Sequence, residues 1–471
     1  MPVDLRFPIL LEMGVLGLAV AVLCWDAVRR GRSKGFGVTL MAVGGIAFLL
    51  LLSFRMDGNA AFTPAWFQDR FAIYVKQVLL AATLLTLLCL RPYAAKQGWM
   101  HRLGDTTVLL LFSLLGGMAL VSAQELLTLF VSFELLSVPL YALAAAEKRS
   151  PEAPEGALKM FLFGGVSSAA LVLGIAILFA ATGTTFWGEA ASQPPTPLAQ
   201  LGVLLVLVGF GFKVAMFPFS LWVPDTYQST PTPLVAFLSV APKAAGIATL
   251  FRLWFEGFHH FAPAMTGWIA GIAALTMVVG NLLALPQQNL KRLLAYSGVA
   301  HIGYVLAALA AGTPFAAGMG LFYFVAYLFA NAGAFLGLAA LEAAGEEPTL
   351  DGVRNLVRRA PVIAACWLAF LLSLGGIPFV LGFWGKLYVF LAAGQAGLWW
   401  LVALGALLSV VALYYYLNVV RAMFLLTDPR PPVEIPFALQ FAVVACAVIV
   451  TAGGLAPALF VEPALRAVRG F

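Results

Sequence analysis

The sequence predicts an all-α polytopic membrane protein of about fourteen transmembrane helices, and three observations lead there. Of 471 residues, 62% are hydrophobic and only 10% are charged, whereas a soluble chain carries about 25% charged residues. The mean hydropathy is +0.97. Apolar runs long enough to cross a bilayer, about 20 residues each, recur along the whole chain. Such a composition excludes a soluble enzyme, a disordered tail and a nucleic-acid binder.

The predicted spans are 8–26, 35–54, 71–90, 106–124, 126–146, 156–182, 198–223, 232–254, 264–285, 292–312, 315–341, 361–393, 397–426 and 437–461. The longest ones call for tilt or interruption. The longest polar connections, 183–197 and 342–360, leave no room for a soluble domain. The first span does not read as a cleaved signal peptide, because its basic cluster (Arg29, Arg30, Arg32, Lys34) follows the apolar run instead of preceding it.

Basic residues orient the chain. Loops after odd-numbered spans carry sixteen of them, including that cluster, Lys148 and Arg149, against three (Arg55, Arg70, Arg252) after even-numbered spans. The positive-inside rule then places both termini away from the cytoplasm. The four cysteines are scattered through apolar stretches without metal-ligand spacing. The pair His259-His260 has no third ligand nearby, so neither zinc nor an iron–sulfur cluster is expected.

The informative residues are ionisable groups inside spans. A charge at mid-bilayer costs about 2.5–3.5 kcal/mol on insertion scales, so such groups line polar interiors or pair with one another. Glu134, Lys213, Lys243, His301 and Lys386 all fall at central positions. Lys76 and Lys159 lie nearer span ends, where a long side chain can snorkel to water. Pro218, Pro242 and Pro378 accompany the central lysines. Each withholds an N–H from the carbonyl four residues earlier, and opened backbone is tolerated in a bilayer only in a protein interior or beside water. Lysine and proline together predict helix breaks around a hydrated cavity, with two interrupted spans, the seventh and twelfth, as in transporters built from inverted repeats.

No nucleophile, phosphate loop or metal motif accompanies these residues; the GFGF at 209–212 lacks both a preceding strand and a GK[ST]. What remains is a file of groups that take up and release protons, with Glu134 expected to pair with Lys213. No fuel site is visible, so the driving energy is expected from a partner or an ion gradient.

The runs FVSFELLSVPLYALAA, GFKVAMFPFSLWVPDTYQSTPTPLVAFLSVAPKAA and NLLALPQQNLKRLLAYSGVAHIGY closely resemble the subunit N family of bacterial NADH–quinone oxidoreductase, respiratory complex I, over about 105–425. The resemblance implies a charged Glu134 on the fifth helix, Lys213 on a broken seventh, a connecting Lys243 on the eighth, a central His301 on the tenth and a terminal Lys386 on a broken twelfth. Lys386 departs from the glutamate of M-type subunits, and the short tail departs from the lateral helix of L-type ones. Asp225 in LWVPD, with Lys159, is implied either in proton uptake or as a helix-end partner of Lys291 or Arg292. The family further implies two inverted five-helix repeats, helices 4–8 and 9–13. The expected division is 1–104, N-terminal helices; 105–258 and 259–428, the repeats; and 429–471, a C-terminal helix. By the same resemblance the chain is one subunit of a proton-translocating NADH:quinone oxidoreductase in the bacterial inner membrane, beside M-, L- and K-type neighbours. It would hold no cofactor itself, with NADH, FMN, iron–sulfur clusters and quinone in partner subunits. The rival readings are an Mrp-type cation/proton antiporter subunit and a passive membrane scaffold.

Overall fold

The computed structural model describes residues 7–28, 35–56, 58, 60–147 and 152–470. The basic residues Arg29, Arg30, Arg32, Lys34, Lys148 and Arg149 lie outside the described residues. In chain order the elements are α1 (Leu10–Val28), α2 (Phe36–Ser53), the hairpin β1 (Ala60–Thr63) and β2 (Trp66–Gln68), α3 (Arg70–Gln97), α4 (Leu103–Ser122), α5 (Leu126–Ala144), α6 (Glu152–Thr182), α7 (Trp187–Ala190), α8 (Pro197–Val214), α9 (Val223–Ser229) and α10 (Thr232–Arg252). They continue with α11 (Ala262–Ala284), α12 (Leu290–Ala311), α13 (Pro314–Tyr327), α14 (Gly333–Ala343), α15 (Leu356–Arg359), α16 (Pro361–Gly375), α17 (Leu381–Gln395), α18 (Trp399–Phe424), α19 (Phe437–Leu455) and α20 (Ala458–Ala467). A π-helical turn, Leu328–Ala332, joins α13 to α14 into one span.

Thirteen helical stretches among the described residues are long and apolar enough to cross a membrane. The remaining predicted span, 361–393, is divided into α16 and α17, of 15 residues each. At 1.5 Å per residue each half reaches about 22 Å, short of a hydrocarbon core of about 30 Å. The two halves together make one interrupted crossing. The chain is a multi-pass membrane protein.

Side-chain caps set several starts. Thr196 and Thr313 cap α8 and α13 with Pro197 and Pro314 at the first helical position, where proline's missing N–H costs nothing. Asn289 accepts from the Lys291 and Arg292 amides at 2.9 and 3.1 Å. Glu125, at a span edge, caps α5 by accepting from the Thr128 amide.

The most enclosed helices are α10, α12 and the α13–α14 span. The perimeter, which includes α2, α6 and α18, exposes Phe48, Val166 and Val410. An apolar rim of that kind matches lipid tails as surroundings.

Two charged residues sit differently from their sequence reading. Lys76, near a span end, does not snorkel: it is fully buried, 2.6 Å from Glu12 and 3.0 Å from Gln68. Glu12 is therefore buried too. Arg252, counted above among loop cations, is fully enclosed at the end of α10, with Asp69 at 2.7 Å and Glu256 at 3.1 Å. Packing removes the route to water in both cases: α1 and Trp66 of the hairpin close over Lys76, and Asp69 and Phe71 at the start of α3 close over Arg252.

Replacing Lys76 with methionine leaves the Glu12 carboxylate buried without its cation. The loss expected is about 3 kcal/mol, read as a lower thermal unfolding temperature of the detergent-purified assembly. The double variant Glu12→Gln/Lys76→Met is expected to recover most of it, since a neutral pair carries no uncompensated charge.

Candidate proton-relay site

The seventh predicted span breaks where Pro218 stands. Helix α8 ends at Val214, and Ala215 turns into the left-handed region at φ 63°. The Ala215 and Met216 amides bond back to Phe212 and Gly211 carbonyls at 3.0 Å, a helix-end pattern that satisfies the terminal groups. The Phe217 amide donates to Thr276 of α11 at 3.1 Å. Lys213 in the last turn of α8 is thereby fixed in the interior, 3% exposed.

The expected Glu134–Lys213 pair is not formed. The Lys213 ammonium donates to Ser137, and it lies 4.6 Å from the centre of the Phe133 ring. Glu134 instead accepts from Ser168 of α6. Helix geometry explains the difference. Phe133 and Ser137 are four residues apart and share the face of α5 toward α8. Glu134 is one residue on, about 100° around the axis, and turns to α6. Its charge acts on Lys213 across that offset, without contact.

Pro242 is not a helix break. Helix α10 runs through it without interruption. The Leu238 carbonyl, which the proline leaves without an amide, receives the Tyr227 hydroxyl at 3.4 Å; a neighbouring side chain thus repairs the ladder. Lys243, 1% exposed, has no hydrogen-bond partner at its ammonium, which lies 5.7 Å from the Tyr227 ring centre. It faces Gly298 of α12. A Cβ at Gly298 would meet the Lys243 ammonium at 3.0 Å and the Tyr327 hydroxyl at 2.7 Å, so the missing side chain keeps a gap open between them.

His301 stands one turn along α12 from Gly298. Its Nδ1 is 2.5 Å from the Tyr323 hydroxyl and its Nε2 is 3.3 Å from that of Tyr416. The Tyr327 ring is 5.1 Å away. A cavity of about 10 Å³ lies beside it, lined by His301, Tyr323, Tyr327, Ser373 and Gly382. That is about the space one water occupies.

Pro378 lies in the connection 376–380 between α16 and α17, after Gly376 at φ 84°. The Gly375 carbonyl at the end of α16 accepts from Lys386 of α17 at 3.1 Å. Lys386 also sits 4.9 Å from the Tyr304 ring centre. Each axial lysine therefore rests on an aromatic face, which stabilises a cation by about 0.5–2 kcal/mol. The sequence reading missed Phe133, Tyr227 and Tyr304. Phe133 adjoins Glu134, and Tyr304 follows His301 by three residues; their spacing to charged residues was the available signal.

Asp225 and Lys159 come together, but not with Lys213. Asp225 is 2.6 Å from Lys159 and 2.5 Å from Arg292, and Lys159 also holds Glu155 at 2.6 Å. The helix-end partnership with Arg292, one of the two roles open for Asp225, is present. Lys291 belongs to a different group, with Glu342 at 3.8 Å.

Four spans thus bring three ammonium groups and an imidazole into the interior, with a half-buried carboxylate, Glu134, on a fifth; hydroxyls hold Glu134, Lys213 and His301, and two of the spans are interrupted. Groups of this kind can pass protons along water and hydroxyl bridges. They define an antiporter-like membrane subunit. The family described as NADH:quinone oxidoreductase/Mrp antiporter, TM, matches residues 123–412. NADH-quinone oxidoreductase subunit N of Moorella thermoacetica is 36% identical, over 95% of this chain and 93% of that one. A chain of respiratory complex I from Thermus thermophilus is 34% identical with a TM-score of 0.82, covering 96% of this chain and 99% of its own. A chain of the Mrp complex from Dietzia sp. DQ12-45-1b has a TM-score of 0.86 at 21% identity, covering 98% and 97%; it shares the fold. The chain belongs to the family of NADH-quinone oxidoreductase subunit N.

Gly376→Ala places a side chain in the left-handed region, at a cost of about 1–2 kcal/mol. Its Cβ would also meet the Lys386 side chain at 2.9 Å. A lower unfolding temperature and weaker proton pumping are expected together, measured by thermal shift and by vesicle acidification.

Proposed function

We propose that the chain is a proton-translocating membrane-arm subunit of an NADH–quinone oxidoreductase. The observation that carries this reading is the file Lys213, Lys243, His301 and Lys386, each nearly buried and each supplied by a different helix, α8, α10, α12 and α17, in a chain of the subunit N family. Protons enter from the cytoplasm, pass Lys213, Lys243 and His301, and leave by Lys386.

The chemistry needed is modest. A proton leaves one nitrogen as another accepts it, through a water or a hydroxyl within hydrogen-bond reach. Tyr327 and Gly298 open the way from Lys243 toward His301; Tyr304 stands between His301 and Lys386. Glu134 sets the field at Lys213 without touching it, so a change in its Ser168 bond is enough to alter that field. Moving one proton against 100 mV takes about 2.3 kcal/mol, which in this reading comes from electron transfer in partner subunits. NADH, FMN, the iron–sulfur clusters and quinone belong to those partners. M-, L- and K-type subunits are the neighbours in the membrane, and the membrane is the bacterial inner one, with both termini on its outer side. The core divides into two inverted five-helix units, 105–258 and 259–428, flanked by 1–104 and 429–471. The two interrupted spans, each ending its first half on a left-handed residue, support that division.

An Mrp-type antiporter subunit would use the same lysines and require sodium or potassium; the identity to subunit N chains favours the oxidoreductase. In inverted membrane vesicles, Lys213→Ala and Glu134→Ala are each expected to reduce NADH-driven acidification at least tenfold while the complex assembles normally. Full pumping by both variants would leave only a scaffold role.

A further inference from the structure

We propose that Glu342 loads protons at a cytoplasmic vestibule and delivers them to Lys243 along a polar ladder between α10 and the α13–α14 span. The proposal rests on the proton-relay reading above and adds to it a second intake, which joins the file at Lys243.

The vestibule is a cavity of about 420 Å³ lined by Tyr93, Glu147, Thr230, Lys291, Glu342 and Glu347, among others. Those residues follow odd-numbered spans or begin the tenth, which the basic loops assign to the cytoplasm. The Glu342 side chain, 12% exposed, is the group at which this open space meets the packed interior. Its Oε2 accepts from the Tyr93 hydroxyl at 2.9 Å and the Thr232 hydroxyl at 2.5 Å. Lys291 lies 3.8 Å from its Oε1 and donates to the Thr230 carbonyl at 2.8 Å. The Thr230 hydroxyl, 2% exposed, has no hydrogen-bond partner.

Two antiparallel helices run inward from there, and they present polar groups at matching levels. Glu342 meets Thr232. Deeper in, Asn331 donates to Ser239 at 2.8 Å. Deeper still, Tyr327 and Lys243 converge on Gly298. Thr232, Ser239 and Lys243 are spaced by seven and four residues, which keeps them on one stripe of α10. Asn331 reaches its rung from the π-helical turn Leu328–Ala332, a widened turn of the kind common at functional sites. Three atoms along the lower rungs are buried without hydrogen-bond partners: Oδ1 of Asn331, the Tyr327 hydroxyl and the Lys243 ammonium. Unpartnered polar atoms in a row are the lining that water requires. The step from Thr232 to Ser239 spans about 10 Å along the helix and is crossed by water drawn from the vestibule.

In the transfer, a proton from vestibule water binds a Glu342 oxygen, and the carboxyl then releases it to bridging water. Lys243, as the neutral amine, forms the new N–H bond, having passed its former proton toward His301. No electrons move.

The test uses the assembled complex in inverted vesicles, with NADH-driven acidification normalised to NADH oxidation and assembly read on native gels. Glu342→Gln retains an acceptor for Tyr93 and Thr232 but cannot load a proton. It is expected to lower normalised pumping at least threefold with assembly intact, and Glu342→Asp to restore part of the loss. Asn331→Leu, which dries the ladder, is expected to match Glu342→Gln. Pumping by Glu342→Gln within twofold of the unaltered complex overturns the proposal, as does a loss seen only in variants that fail to assemble. Lys243→Ala separates the two levels of inference. If it stops pumping while Glu342→Gln does not, the intake alone falls; if it too pumps normally, the relay falls with it.

Discussion

An ammonium group moved from water into an apolar helix bundle must recover several kcal/mol of lost hydration from whatever surrounds it. The rest of this structure is arranged around that constraint. Lys213 recovers it from a hydroxyl and a phenyl ring, Lys386 from a carbonyl at a helix end and a phenol ring. Lys243 has a ring face and an open gap. None is offered a carboxylate within ion-pair distance among the described residues. The break between α16 and α17 serves the same requirement, because a helix terminus leaves carbonyls such as that of Gly375 without an amide partner.

Other interior cations are treated in the opposite way. Lys76 and Arg252 lie 2.6 and 2.7 Å from carboxylates, and Arg359 is clasped by Glu346. The first two pairs tie together elements far apart in the chain, α1 to α3 and the hairpin end to α10; the third fastens the 346 loop to α15 close by. A cation neutralised by contact is fixed in charge and place. One held by rings and neutral oxygens remains responsive to a distant charge. The chain thus separates charges fastened in pairs from charges held by rings and neutral oxygens, and the presence or absence of a touching carboxylate draws the line.

The spans were legible because twenty apolar residues in a row have few alternatives. The five axial groups were legible because an ionisable residue in such a run is costly and therefore conspicuous. Partnership was not. Glu134 and Lys213 attract on paper, yet a 100° step around α5 gives Lys213 to Ser137. Lys76 and Glu12 are 64 positions apart, and only packing of α1 against its neighbours joins them. Pro242 carries the local signal of a break, and a tyrosine from the adjoining short helix α9 cancels it. Such outcomes depend on what a neighbouring helix presents, which local sequence does not encode.

Gly298 illustrates a different economy. The approach of Lys243 and Tyr327 to α12 depends on an atom that is not there. Every other amino acid would push them back, so this position has no variant that gives them more room and many that give them less. Drift at most lipid-facing sites of the bundle exchanges one greasy side chain for another at little consequence. At this one, the smallest possible change is also the one that shuts the door.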